Sequence, residues 1–380
     1  MKLLFASDSF KGTLSSEQTM ELLTKAAQEV FEGCDCAGVP VADGGEGTTD
    51  AVIAATSGEK IPVSVHGPLM EPVQTYYGKL DSSRAILEMA AASGLPLVER
   101  QLRDPRNTTT YGTGEILLDA LDKGFTDISI AIGGSATNDG GMGCMRALGA
   151  RFLDAKGEEL EGKGSDLAKV AHIDISGMDT RIHDVTFTAM CDVNNPLCGK
   201  DGATYTFGRQ KGGTPEVLDE LELGMQNYRD VILREFGINL DEMPGAGAAG
   251  GLGGALLVFL KAALKSGIET VLDLIDFDAR LEGVSLVVTG EGRTDWQSCF
   301  GKVMQGVGVR CRNHGVKVVA LVGAMGEGAE QIFDYGICSM MTTVNAVMEL
   351  DEALGNAEEL YYKGALRMFR FIKTGMELKL

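Results

Sequence analysis

The sequence predicts an α/β fold divided into two domains, and three observations carry that reading. Short apolar runs alternate with segments of helical period from end to end. The 51 glycines gather with small polar residues directly after those apolar runs, where an α/β sheet presents its carboxyl edge. The length, 380 residues at 44% apolar content, is more than one compact domain usually fills.

Taken in order, residues 3–6 read as a buried strand. Ser15 and Gln18 then form a capping box, after which Met20, Leu23, Ala27 and Val30 recur at helical spacing. The pattern repeats with 37–42 as a strand, 43–47 as a turn and 48–55 as a helix, and two such units in tandem favour a parallel sheet. Strands without intervening helices follow at 73–80 and 85–89, which predicts an antiparallel portion. Further strand-to-helix junctions stand at 128–132, 185–190, Leu286–Thr289 and 316–322. Because the runs near Leu3, Leu286 and Val316 all read as buried parallel strands, the chain ends are expected to form one domain, 1–68 with 284–380. Residues 69–283 then form the other.

Against 34 basic residues stand 54 acidic ones, a net charge of −20 spread along the chain, and such a surface repels nucleic acid. Eight cysteines at irregular spacing give neither a zinc pattern nor a disulfide framework. The N-terminal apolar run is too short for a signal peptide. The weakly polar stretch 245–260 falls short of the ~20 residues of a membrane span. A cytoplasmic protein without a membrane partner is expected.

Five segments pair glycine with hydroxyl or carboxylate residues after a strand-like run: 8–13, 42–48, 133–141, 191–196 and 289–295. Glycine lets backbone N–H groups approach an anion, and carboxylates hold Mg²⁺. No Gly-Lys pair is followed by Ser or Thr, which excludes a Walker A loop, and no nucleophile elbow occurs. The four histidines are scattered, so acid, base and metal duties fall to carboxylates. Residues 245–250 match the GxGxxG string, yet Pro244 and the polar residues before it are no buried strand. The segment reads as a tight loop opening a helix of small residues. A nicotinamide-dependent oxidoreductase rests on that string alone, and a non-enzymatic nucleotide or acid receptor would not gather carboxylates at its binding edge.

Asp8-Ser9-Phe10-Lys11-Gly12, the segments 42–48, 88–95, 108–115 and 133–141, Cys191-Asp192-Val193, and Thr289-Gly290-Glu291-Gly292-Arg293 with Asp295 give the chain its closest likeness. In these blocks, and in their order over nearly the whole length, the sequence resembles the bacterial type I glycerate kinases. The resemblance implies a flavodoxin-like parallel-sheet domain with a second α/β domain inserted in it, acting on D-glycerate with ATP and Mg²⁺ and most commonly at the 2-hydroxyl. A kinase for another small hydroxy acid is the alternative, and a monomer and a homodimer are both open.

Phosphoryl transfer needs charge neutralisation, a metal carboxylate and a base at the acceptor hydroxyl. Asp192 is expected to be the base, Asp43 or Asp295 the metal carboxylate, and Lys11 and Arg293 the cations facing phosphate or the acid's carboxylate. Asp8, Ser9, Gly44, Gly45, Glu46, Gly290 and Glu291 are expected at the ligands. Thr113 with Gly134, Ser135, Thr137 and Asn138 is expected to line phosphate-binding loops that open helices.

Overall fold

In a computed structural model that describes residues 1–10 and 12–378, the chain runs through two units. The first comprises Met1–Asp43, Ala54–Thr56 and Gly267–Leu380, and the second Gly44–Ile53 and Ser57–Ser266. The chain begins the first unit with β1 (Lys2–Phe5) and β2 (Asp35–Gly38). It builds the second with β3 (Glu59–His66), β4 (Pro72–Lys79), β5 (Arg84–Glu88), β6 (Asp127–Ala131), β7 (Arg151–Leu153), β8 (His172–Asp174), β9 (Thr186–Met190) and β10 (Ala263–Lys265). It returns to the first with β11 (Leu286–Thr289), β12 (Arg293–Thr294), β13 (Lys317–Val322), β14 (Ala324–Met325) and β15 (Ile337–Thr342).

The first unit holds a five-stranded sheet in the order β15-β13-β11-β1-β2, every pair parallel. Counted within the unit this is the order 2-1-3-4-5 of flavodoxin-like folds, whose direction of winding reverses between β1 and β11. Leu3, Phe5, Val288 and Leu321 fill the core with Leu23, Ala27, Tyr361 and Phe369 from helices Ser16–Val30 and Ala357–Glu377. The first helix starts where the sequence places its capping box: Gln18 N–H donates to Ser15 Oγ and Ser15 N–H to Gln18 Oε1. The second strand stops at Gly38 rather than 42, because β1 ends at Phe5 and leaves only the Val39 N–H to Phe5 carbonyl bond beyond it.

The second unit holds a six-stranded sheet in the order β10-β9-β6-β5-β4-β3. Strands β5, β6, β9 and β10 are parallel, whereas β3, β4 and β5 pair antiparallel, as the helix-free stretch predicts. The division of the chain falls elsewhere than at 68 and 284. Strand β3 pairs with β4 along its whole length, which brings 59–66 into the second unit. At the other limit, Arg310 binds Glu269, Asp273 and Asp278, which ties helices Gly267–Leu274 and Phe277–Arg280 to helix Val303–Asn313 of the first. Among the described residues no helix is long and apolar enough to cross a membrane.

At Gly290, just past β11, a Cβ would lie 1.9 Å from the Leu321 carbonyl oxygen of β13. Backbone cannot yield there as a side chain does. Gly290→Ala is expected to destabilise the first unit by about 1–3 kcal/mol, the usual cost of overpacking. Gly355→Ala, where a Cβ meets nothing within 4 Å, should leave stability nearly unchanged. Thermal melts of the two variants check this, and equal melting temperatures would contradict it.

Candidate functional site

The reversal point of the first sheet opens into a cavity of about 400 Å³. Its charged groups come from the loop after β1 (Asp8), the loop after β11 (Glu291, Arg293) and Lys302, the N-cap of helix Val303–Asn313, while Ser9, Thr13, Thr343 and Tyr361 add hydroxyls. Its other wall is apolar, made by Val344 and by Leu350, Ala353, Leu354, Ala357 and Leu360 from helices Leu350–Gly355 and Ala357–Glu377. The two loops stay in step past the strand ends, since Ala6 N–H donates to the Val288 carbonyl and Asp8 N–H to that of Gly290, each at 2.9 Å. Gly323 N–H and Ala324 N–H bond the carbonyls of Glu291 and Gly292, which holds the loop after β13 against the loop after β11.

Glu291 is nearly buried, at 6% exposure. Its Oε1 accepts from Thr294 Oγ1 at 3.0 Å and from Ser298 Oγ. Burial raises its pKa above the ordinary glutamate range, with the two hydroxyls and the charge of Lys302 opposing. Asp295 is one of the two carboxylates expected at the metal. It is the N-cap of the turn Trp296–Cys299, with Oδ1 accepting from Gln297 N–H at 2.9 Å and Oδ2 lying 3.8 Å from Arg293 Nε. Arg293 is largely exposed and borders the cavity. Trp296 is half exposed and meets Phe300 edge-on.

In the second unit a pocket of about 410 Å³ lies at the carboxyl ends of β5 and β6, lined among others by Glu46, Asp50, Tyr76, Glu88 and Gly134. Helix Thr48–Thr56 begins at Gly47, which offers no side-chain cap. Glu88 supplies one from the end of β5, accepting from Thr49 N–H at 2.8 Å and Gly47 N–H at 3.4 Å. Burial raises the Glu88 pKa against those bonds. Asp50 is engaged by Lys60 Nζ at 2.8 Å and Tyr76 Oη at 2.9 Å. Asp192 follows β9 on the same sheet edge and is exposed. Gly44 and Gly45 precede this pocket in the chain, and Asp43 ends the stretch that belongs to the first unit.

The loop 133–141 does not present its interior. Thr137, Asn138 and Asp139 are fully buried and Ser135 is 8% exposed. Asp139 accepts from Thr110 N–H, Thr110 Oγ1, Gly141 N–H and Gly143 N–H, and Gly140 N–H donates to the Gly250 carbonyl. The N–H groups of Ala136, Gly140, Gly141 and Gly143 are therefore engaged by protein. Thr113 is likewise buried, its hydroxyl bonded to Ser93 Oγ at 2.8 Å. Its neighbour Gly112 sits in the first turn of helix Tyr111–Asp122, where a Cβ would lie 1.8 Å from the His66 carbonyl oxygen. The GxGxxG segment is a buried loop ahead of helix Leu252–Phe259, preceded by a turn at Leu240–Glu242 and no strand. Arg106 pairs with Asp104 and Glu220.

The structure thus brings Asp8, Ser9, Glu291 and Arg293 to one cavity and Glu46 and Gly134 to another pocket, while Gly290 packs against the Leu321 carbonyl. Lys11 lies outside the described residues. Sequence reasoning passed over Lys302, whose only signal was the Gly301-Lys302 pair, and Glu88, whose partners are 39 and 41 residues away. The raised Glu291 carboxyl gives a signed expectation. Folding favours its protonated form, so its contribution to stability falls as pH climbs through the glutamate range to the folded-state pKa, then levels off. The melting temperature of Glu291→Gln minus that of wild type should therefore grow with pH over that window. A difference flat in pH would contradict it.

A family model described as the glycerate kinase family matches residues 3–373. The chain is 42% identical over 374 residues to a glycerate kinase of Bacillus subtilis (strain 168), covering 98% of each chain. It is 42% identical over 377 residues to a glycerate 2-kinase of Escherichia coli (strain K12), covering 99% of each. A crystal structure assigned to glycerate kinase 2 of Salmonella typhimurium LT2 superposes with a TM-score of 0.90 at 40% identity over 100% of both chains. On a match of this length and identity, the chain belongs to the glycerate kinase family.

Proposed function

We propose that the protein transfers the γ-phosphate of ATP, bound with Mg²⁺, to the 2-hydroxyl of D-glycerate. The observation that carries the donor half of this reading is the two-faced cavity at the reversal point of the first sheet, in a chain that belongs to the glycerate kinase family. A nucleoside triphosphate is apolar at one end and strongly anionic at the other, and the cavity pairs an apolar wall with Arg293 and Lys302. Lys302 also opens an eleven-residue helix, whose N-terminal amides add to the attraction for phosphate. The relative named glycerate 2-kinase supports the choice of hydroxyl.

The donor set suits the metal. Asp8 and Glu291 are hard oxygen ligands lining the cavity, and Mg²⁺ commonly takes one or two protein carboxylates with waters and phosphate oxygens. Among the described residues no group of three or more His, Cys, Asp or Glu is placed to hold a metal. Asp8 and Glu291 would hold the ion, which when bound neutralises charge on the donor phosphates.

Transfer forms a bond from the glycerate oxygen to the γ-phosphorus, breaks the bond to the bridging oxygen of ADP, and releases the hydroxyl proton. Asp192 is our candidate acceptor of that proton, being an exposed carboxylate at the ligand edge of the second sheet. Arg293 and Lys302 supply positive charge as negative charge builds on the oxygens.

Coupled ADP release tests the reading, and it should require both D-glycerate and Mg²⁺. Release of ADP independent of D-glycerate would sink it. Asp192→Asn should keep the melting temperature and ADP affinity while lowering turnover about 100-fold or more, the range of general-base loss. Partial recovery of rate at high Mg²⁺ would make Asp192 a metal ligand instead, and near-normal turnover in a folded variant would remove it from the chemistry.

A further inference from the structure

We infer that the apolar wall of the switch-point cavity is the seat of the nucleobase, and that it selects by burial alone, so the protein binds nucleotides of all four bases with little discrimination. The inference rests on the reading of that cavity as the nucleotide site, and it adds which residues hold the base and what they can and cannot distinguish.

The wall is unusual for a surface. Leu350 is 71% and Leu354 47% exposed, one helical turn apart on helix Leu350–Gly355, and both border the cavity. Ala353 and Ala357 lie among them with side chains too small to break up the surface. Two large apolar side chains left in water call for a cover that is itself flat and apolar. Glycerate is too small and too polar to be that cover. A nucleotide matches both halves of the cavity, with its phosphates toward Arg293 and Lys302 and its base over the leucines.

What the wall lacks is a means of reading a base edge. From Val344 to Leu360, none of its cavity-lining side chains among the described residues carries a hydrogen-bonding group; of the hydroxyls that border it, Thr13 Oγ1 donates to the Phe10 carbonyl, Tyr361 Oη is buried, and Thr343 is only 6% exposed. Much of the backbone at its edge is engaged as well. The Thr343 N–H donates to the Val322 carbonyl, the Thr342 and Thr343 carbonyls accept from Arg367, and the Val344 carbonyl accepts from Thr342 Oγ1. Gly323 N–H and Ala324 N–H are bonded to the loop after β11. A site that hydrogen-bonds its ligand can reject a wrong one by ~10⁴-fold or more, while an apolar surface discriminates by only ~10–200-fold. Bases should then rank by the area they bury, purines ahead of pyrimidines.

Calorimetric titration of the full chain with ADP, GDP, CDP and UDP, each with Mg²⁺, measures this directly and needs no turnover. The four dissociation constants are expected within about 10-fold for the two purines and about 100-fold overall. Leu354→Asp, at a half-exposed position, should keep its melting temperature and weaken all four by about 10-fold or more, as a buried charge against the base demands. Leu350→Asp serves as the second variant should the first unfold. A preference for ADP over GDP of about 1,000-fold would overturn selection by burial, and unchanged affinities in both variants would overturn the seat. D-glycerate turnover is scored separately. Binding as described without turnover would leave the base site standing and remove the kinase reading, and turnover with unaltered binding in the variants would do the reverse.

Discussion

The carboxyl edge of the first sheet depends on two backbone approaches that leave no room for a Cβ. Gly290 runs 1.9 Å, measured from an imagined Cβ, from the Leu321 carbonyl oxygen, and Gly323 runs 2.2 Å from that of Gly292. With those approaches in place, the loops after β1, β11 and β13 bond one another as continuations of the sheet. Glu291 can then turn inward onto Thr294 and Ser298, and Asp295 can cap the turn that follows. Arg293, lying between them in sequence, is left exposed at the cavity edge. A reversal of winding is where an α/β sheet naturally leaves a crevice, and here side chains make its two faces chemically unlike.

The second unit solves a different problem at its own edge. The loop after β6 is rich in glycine and hydroxyl residues, but Asp139 near its end accepts from the Gly141 and Gly143 amides and from the N–H and hydroxyl of Thr110, while burial raises the carboxyl's pKa. Lys211, also buried, donates to the Thr137 carbonyl at 2.6 Å, and burial lowers its pKa to about 7. This polar interior holds the loop so that Gly133 and Gly134 alone face the pocket shared with Glu46 and Glu88. Of the side chains expected at phosphate, Thr113 bonds Ser93 and Asn138 Nδ2 donates to Thr204 Oγ1.

The legibility of the sequence follows from how local each cause is. The Ser15–Gln18 capping box is decided within four residues and was readable, as were the buried parallel strands β6, β9, β11 and β13, whose apolar runs are continuous. Strand β3 was not readable, because Glu59, Lys60 and Pro62 break its alternation and its pairing with β4 is what makes it a strand. The limits at 68 and 284 shifted for the same reason, being set by partners distant in the chain. For the site, glycine after a strand marked Asp8, Glu291 and Arg293, which the structure places at the cavity. It marked Thr113, Thr137 and Asn138 in the same way, and these are buried, a difference that such strings do not carry. The apolar wall left no signal, because Leu350 and Leu354 sit in a helix of six residues, too short for a period.

The central claim is phosphoryl transfer from ATP to one hydroxyl of D-glycerate, and the product itself tests it most directly. Phosphorus NMR of the full chain with ATP, Mg²⁺ and D-glycerate should show the γ-phosphate resonance replaced by a single phosphomonoester, identified as 2-phosphoglycerate by addition of the authentic compound. Inorganic phosphate as the sole product, or an ATP spectrum unchanged with time, would contradict the account.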